Sequence, residues 1–506
     1  MPHRVTTIKR YRISNDVLIL ILEKLDPVSL YRTCQTFERV YVLVMEFQHL
    51  RYRFELGIVG MKDGPVSYTS RPPMMRVQLL MSYKKDWPRL KWTDEQKIRV
   101  SLVSSNVEVS GNFLYYAGNQ SLDLLELPSC RLGRLPAQTR HIHYMTTPEP
   151  ESIAVDALQS LIVAAHTIGA PNGQISLRLR IRNLSNFDKH PKALSPHYDC
   201  PTHIAQPVTN VSTALCGTRV VCTIEFVGGL VKHLLIDWTT FQAMWLEEQD
   251  VIFLSAYQLL GVRKIHGKMA LYLYNIYDMR NVFIEREYEL PPIWAKSTMR
   301  FGRNAAEITD LPRASPALFY CDPSARVLVL TAKQNGPNGP SVHWMMINES
   351  FFRPTTTDRR SAPWSFWSQF CLIKEHSPAV LSGEPHVIGN RVVYLEKDGT
   401  RSASGAERTR LKIIDFAPFL EVPPASPKTW THIGKYSALK PGEYYRDFPP
   451  TTTNGLVVEN ICATEDNVIL SLEPHGGIRP VNVLTFGPNP PVTKAIRHDI
   501  QYHPAL

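Results

Sequence analysis

The sequence predicts an α+β, multidomain chain: a small N-terminal three-helix domain followed by a mostly-β body, read as a β-propeller of about seven blades. Three observations carry that reading. Apolar residues recur at helical spacing only over roughly the first ninety positions. From about Thr93 that period fades, and short runs of Val, Ile, Leu, Tyr and Phe appear between turn signals. The runs group into seven hairpin sets, spaced very roughly 40–60 residues apart. The 39 prolines suit loops between such strands, and no helix–strand alternation calls for a parallel sheet. A large β-sandwich, or a pair of them, is the rival, and six or eight blades are the neighbouring counts. The divisions are residues 12–56 for the helical domain, 57–94 for a linker with a connecting helix, 95–490 for the body and 491–506 for a tail.

The helical domain begins with Asn15 as expected N-cap and Asp16 in the first turn, where a carboxylate suits the helix dipole. Val17, Leu18, Ile21, Leu22 and Leu25 make one helical face, but Ile19 and Leu20 are apolar too. So short a helix, greasy nearly all round, calls for cover on both sides. Asp26-Pro27 restarts the chain as N-cap and first helical residue, and Leu30, Cys34 and Phe37 give the second helix its buried face. A third helix is expected from Glu38 to Leu56, with Val40, Leu43, Val44, Phe47, Leu50 and Phe54 on one side. Two readings follow: a helical subdomain docked on the rest of the chain, or a docking face for a second protein.

At these residues the sequence resembles an F-box. That motif usually begins Leu-Pro and continues with an acidic residue, a Leu/Val-Leu pair, Ile-Leu/Phe, Leu, often Pro, then Ser/Asp-Leu. Here Ile13, Ser14, Asp16, Val17, Leu18, Ile21, Leu22, Leu25, Pro27, Ser29 and Leu30 carry it, with Ile13-Ser14 in place of the opening Leu-Pro. The run from Leu43 to Pro65, through Leu56-Gly57, Gly60-Met61 and Asp63-Gly64-Pro65, is similar to fungal F-box proteins in particular. The match covers roughly the first 65 residues. It implies a substrate-recognition adaptor without bond chemistry of its own. The helical domain would dock on the Skp-type adaptor of an SCF (cullin-RING) ubiquitin ligase, and the β-body would hold a target protein. The implied adaptor contacts are Ile13, Ser14, Val17, Leu18, Ile21, Leu22, Leu25, Pro27 and Leu30.

Composition narrows the alternatives. At 506 residues, 44% hydrophobic and 20% charged, the chain has the make-up of a globular protein. The first twelve residues are basic but lead into an amphipathic pattern rather than a secretory signal. The longest apolar run, Val17 to Leu22, is far shorter than the ~20 residues a membrane helix needs. Eight scattered cysteines with no C-x-x-C pair read as reduced and intracellular, in cytoplasm or nucleus, with neither disulfide framework nor metal site. His141 and His143 form an H-x-H without further ligands nearby, so no metal and no cofactor is expected. A net charge of +10 admits acidic partners. The sequence lacks G-x-S-x-G, the Walker lysine loop, H-E-x-x-H and the kinase set, and it is read as a non-enzyme.

Between head and body, Gly57, Gly60, Asp63-Gly64-Pro65 and Arg71-Pro72-Pro73 read as a hinge, and Met74 to Asp86 as an amphipathic helix that Trp87-Pro88 ends. Within the body, Gly111, Gly217 and Gly389 each stand just before a strand, where a tight turn needs a permissive backbone.

Three body features are candidates for substrate contact. In Ser176 to Arg182 strict alternation sends Leu177, Leu179 and Ile181 inward and Arg178, Arg180 and Arg182 to the other face. That row suits an acidic segment, or equally a strand kept soluble by charge. The loop from Phe351 to Glu384 carries Arg359, Arg360, Trp364 and Trp367, a hot-spot composition that also fits a loop burying its own tryptophan. Lys435 to Asn454, with Tyr444, Tyr445, Arg446 and Phe448, repeats the theme more weakly. The alternative reading is a basic nucleic-acid-binding propeller, using the arginine row with Lys84, Lys85 and Lys91. It stands behind, because the stacking motifs of common RNA modules are missing, and a glycosidase-like hydrolase comes third.

Overall fold

Gly111, Gly217 and Gly389 adopt φ of +56°, +59° and +58°, the left-handed conformation that turns one strand tightly into the next. Strands on either side of such turns pair antiparallel, and among the described residues seven sheets result, each with four antiparallel strands and the fourth with a short fifth, over residues 108–145, 152–201, 208–246, 250–289, 298–376, 381–447 and 458–485. The seventh takes its fourth strand from the other end of the chain. Asp94–Ser101 pairs with Ile478–Thr485, from Asp94 opposite Thr485 to Ser101 opposite Ile478. Neighbouring sheets meet mainly through their first strands, and the seventh returns to the first. The body is therefore a seven-bladed β-propeller, closed by a strand from its N-terminal side. The computed structural model describes residues 13–65, 73–101, 107–118, 120–134, 140–146, 148–169, 174–306, 315–336, 339–352, 361–401, 407–416, 441–453 and 456–487.

Each seam between blades is filled by a hydrophobic cluster. Leu177, Leu179 and Ile181, all fully buried, join Val220, Cys222 and Ile224 between the second and third blades. The seam between the sixth and seventh blades differs, because its cluster runs on from Leu411, Ile413, Val468 and Leu470 into the N-terminal helices.

Those helices are α1 (Asn15–Leu22), α2 (Pro27–Thr36), α3 (Glu38–Glu46), α4 (Gln48–Val59) and α5 (Pro73–Asp86). Asp26 caps α2 as expected, accepting from the Ser29 N–H at 2.9 Å. The cap of α1 is Ser14 rather than Asn15, its hydroxyl accepting from the Val17 N–H at 3.4 Å. The expected third helix is two helices, broken at Phe47, whose φ of −103° and ψ of 114° are extended. Among the described residues the head before the connecting helix thus has four helices, where three were expected.

Of the expected hinge, Gly57 to Pro65 is built into the fold, while Arg71-Pro72 lies outside the described residues. Gly57 lies inside α4, so close to α2 that a Cβ there would come within 2.3 Å of the Pro27 carbonyl oxygen. Gly60 ends α4 with φ of +68°, and Met61–Asp63 pairs antiparallel with Phe319–Cys321. That partner strand belongs to the long connection between the first and second strands of the fifth blade. Helix α5 continues the attachment. Tyr83 donates from its hydroxyl to the Glu465 carbonyl at 2.5 Å, and Trp87 stacks on Phe486 at 4.0 Å.

A buried ion cluster holds the same face. Arg131 donates to Asp466 at 2.9–3.1 Å and to the Phe319 carbonyl at 3.2 Å, and it pairs with Glu465 at 3.0 Å. Burial alone would lower the Arg131 pKa, but Asp466 and then Glu465 outweigh it and raise that pKa well above its ordinary value. Among the described residues no helix is long and apolar enough to cross a membrane.

Candidate docking site on the helical head

The phase of α1 decides what it can do. Leu22 is 1% exposed and packs into the shared core, with Leu18 and Leu25 half-buried beside it. The opposite face falls one turn apart at Ile13, Val17, Leu20 and Ile21, which are 49%, 49%, 60% and 45% exposed. Helix α3 lies alongside. Arg39 donates to the Ile13 carbonyl and the Asn15 side chain at the start of α1, and Val42, one turn further along α3, is exposed. At the far end of α1, His49 contacts Glu23 at 3.0 Å, and its ring lies 6.1 Å from that of the partly exposed Phe47. Ile13, Val17, Leu20 and Ile21 therefore form one exposed apolar face at α1, and Val42 and Phe47 add exposed apolar area elsewhere on a head that is itself rooted in the propeller.

The residues expected to contact an adaptor divide accordingly. Ile13, Ser14, Val17 and Ile21 face outward. Leu22, Pro27 and Leu30 are corrected to core positions: they are buried, and they shape the surface from beneath without reaching it. Leu20, missing from the expected set, is the most exposed apolar residue of the helix. With apolar residues on both faces, the sequence offered no signal for which one the rest of the chain would cover.

The body candidates are more occupied than their composition suggests. Arg178 makes a two-pronged ion pair with Asp199 of the neighbouring strand, at 2.7 and 2.6 Å, and Arg182 lies over the Phe187 ring at 5.8 Å. Arg180 sits between them, half-buried. Trp367 is corrected from a substrate contact to core. It is fully buried between the fourth and fifth blades, where its indole N–H donates to the Glu289 carbonyl at 2.9 Å. Half-buried Trp364 packs edge-on against it at 4.9 Å, and Ser361–Ala362 adds a short parallel strand to the fourth blade. Arg359 and Arg360 lie outside the described residues. Arg446 donates to the Leu90 carbonyl at 2.5 Å and lies over Trp92 at 4.3 Å, so it secures the connecting segment.

No family model matches the sequence, and no curated protein matches it. Solved structures do resemble it in shape. The WD40 domain of SCAP from fission yeast is 9% identical with a TM-score of 0.39, over 77% of this chain and 83% of that one. The β-propeller domain of the Trilobed protease from Pyrococcus furiosus is 11% identical with a TM-score of 0.33, over 64% of this chain and 79% of that one. An oligogalacturonate lyase in complex with manganese is 10% identical with a TM-score of 0.36, over 79% and 92%. Likenesses this distant carry no functional argument.

The remaining chemistry is quiet. His141 and His143 both approach one oxygen of Asp123, at 3.1 and 2.8 Å. Among the described residues no group of three ligands is placed to hold a metal ion. None of the eight cysteines forms a disulfide, and burial pushes Cys34, Cys222, Cys321, Cys371 and Cys462 up to about 12, which keeps them as inert thiols. What the head offers a partner is uncovered apolar area on a rigid mount.

Proposed function

We propose that the protein is an F-box-type substrate-recognition adaptor. Its head binds the Skp-type adaptor of an SCF ubiquitin ligase, the cullin scaffold follows through that adaptor, and the propeller holds a target protein. The observation that carries this reading is the outward apolar face of α1, at positions where the sequence resembles the F-box. Burying it would contribute about 25 cal/mol per Å² before the costs of association are deducted. The fusion of α4 and α5 to the propeller supports the same reading, because a bridging protein works best when its two ends keep a fixed relation. An intracellular location, cytoplasmic or nuclear, belongs to the proposal.

The test is retention of the purified full-length chain on an immobilised Skp-type adaptor. Wild type is expected to be retained, Ile21→Glu to lose at least tenfold in affinity, and Lys24→Glu to bind as wild type. Leu22→Glu is the wrong probe, since a charge at a buried position would disrupt the head itself. Failure of the wild-type chain to bind would end this reading.

A further inference from the structure

We infer that Arg39 is a positioning residue for the docking surface: it pins residues 13–15 in the conformation that a proline at position 14 would otherwise impose. The inference rests on the docking function proposed above, but part of its test does not.

Helix α1 has eight residues. A helix of that length is not stable by itself in water, and among the described residues nothing covers one side of this one. Two arginines from other helices hold its ends. Arg53 of α4 donates to the carbonyl of Glu23, the C-cap of α1 and an acceptor that a helix C-terminus leaves without an intrahelical partner, and to that of Leu25 just beyond it. A cation is also favourable there. Arg39 of α3 sits at the other end, where the helix dipole gives a cation no advantage. Its Nη2 donates to the Ile13 carbonyl at 2.7 Å and to the Asn15 side chain at 2.5 Å. Those two residues flank Ser14, so one guanidinium holds the chain on both sides of the cap.

Ser14 has φ of −62° and ψ of 157°. That φ is the value a proline ring enforces, about −65°. Nothing in serine enforces it. The cap bond from the Val17 N–H to the Ser14 hydroxyl is long, at 3.4 Å, and fixes the segment only loosely. The clamp by Arg39 supplies the missing constraint and presents Ile13, at the edge of the apolar surface, in one orientation. A surface ordered before binding loses less entropy when the partner arrives.

The experiment compares wild type, Arg39→Ala, Ser14→Pro and the double variant, all as the full chain, with two readouts. One is affinity for the Skp-type adaptor. The other is amide hydrogen exchange over residues 15–22 without any partner. Arg39→Ala is expected to speed exchange in α1 and lower affinity about fivefold, while the thermal transition of the propeller stays in place. Ser14→Pro is expected to stay within about threefold of wild type in affinity. In the Ser14→Pro background, Arg39→Ala is expected to change both readouts less than twofold. Equal losses of affinity in both backgrounds would overturn the inference, because Arg39 would then be touching the partner. Unchanged exchange in Arg39→Ala would overturn it as well. Should wild type not bind the adaptor, the docking function fails, while the exchange pattern still decides whether the clamp exists.

Discussion

The segment after Ser361 and helix α1 carry the same kind of side chain, and the fold treats them in opposite ways. In the first, Trp364 and Trp367 pack with Phe351, Phe352 and Tyr288 against the fourth blade, and only Phe366 and Phe370 of the segment's aromatics stay exposed. In the second, Ile13, Val17, Leu20 and Ile21 face out with nothing from the described chain over them. Composition marks both as interface material. What separates them is whether a neighbouring element lies within reach, and the fourth blade supplies one for the tryptophans where the head supplies none for α1.

That contrast can be broken from the covered side first. Trp367→Ala should cost about 3–5 kcal/mol of stability, read from urea or thermal unfolding, because it empties a filled seam and strands the Glu289 carbonyl. A loss under about 1 kcal/mol would mean the aromatic cluster is not core. Asp466→Ala leaves Arg131 charged and buried, and a comparable loss of about 3–5 kcal/mol is expected in the same measurement.

Acid sharpens the contrast. Burial holds the imidazole of His233 down to about 4 from an ordinary 6.5. The unfolded chain therefore takes up a proton that the folded blade refuses. The stability this group contributes is complete above about pH 6.5 and is lost as pH falls towards about 4. His233→Gln should flatten that part of the stability–pH curve, and an unchanged slope would place the titration elsewhere. At the small end, Arg178→Ala should change stability by less than about 1 kcal/mol, since its ion pair with Asp199 is solvent-exposed. Ile21→Glu should move it by no more than about 0.5 kcal/mol while removing adaptor binding. A large loss of stability in Ile21→Glu would mean the α1 face is covered after all.

Much of the propeller was legible in the sequence. Turn glycines such as Gly111 and Gly217 announce their conformation locally, and alternation over Leu177 to Arg182 assigned each side chain to its observed face. Local signals could not reveal pairings between distant segments. Thr298–Gly302, the first strand of the fifth blade, went unread because its companion begins only at Val327. Closure by Asp94–Ser101 and the pairing of Met61–Asp63 with Phe319–Cys321 join residues hundreds of positions apart. Within the candidate site, Ile13, Val17 and Ile21 face outward. Leu22 went inward because a helix apolar on all sides does not declare its phase, whereas Leu30 is buried as the spacing of the second helix predicts and Phe37, expected beside it, is exposed.

The closing strand also sets an order of events during synthesis. Asp94–Ser101 leaves the ribosome early, but its partner Ile478–Thr485 is made last among the described strands. At about 5–20 residues per second, the early strand waits on the order of tens of seconds. The head waits with it, since α4 and α5 need Phe319, Val468 and Phe486 to pack against. Until then its apolar residues are open on both sides, and the nascent chain offers chaperones a longer-lived target than most propeller blades do. Once the ring shuts, one side of the head is sealed and the other is left facing solvent. A product truncated before the last blade would leave the head without Val468 and Phe486 to pack against.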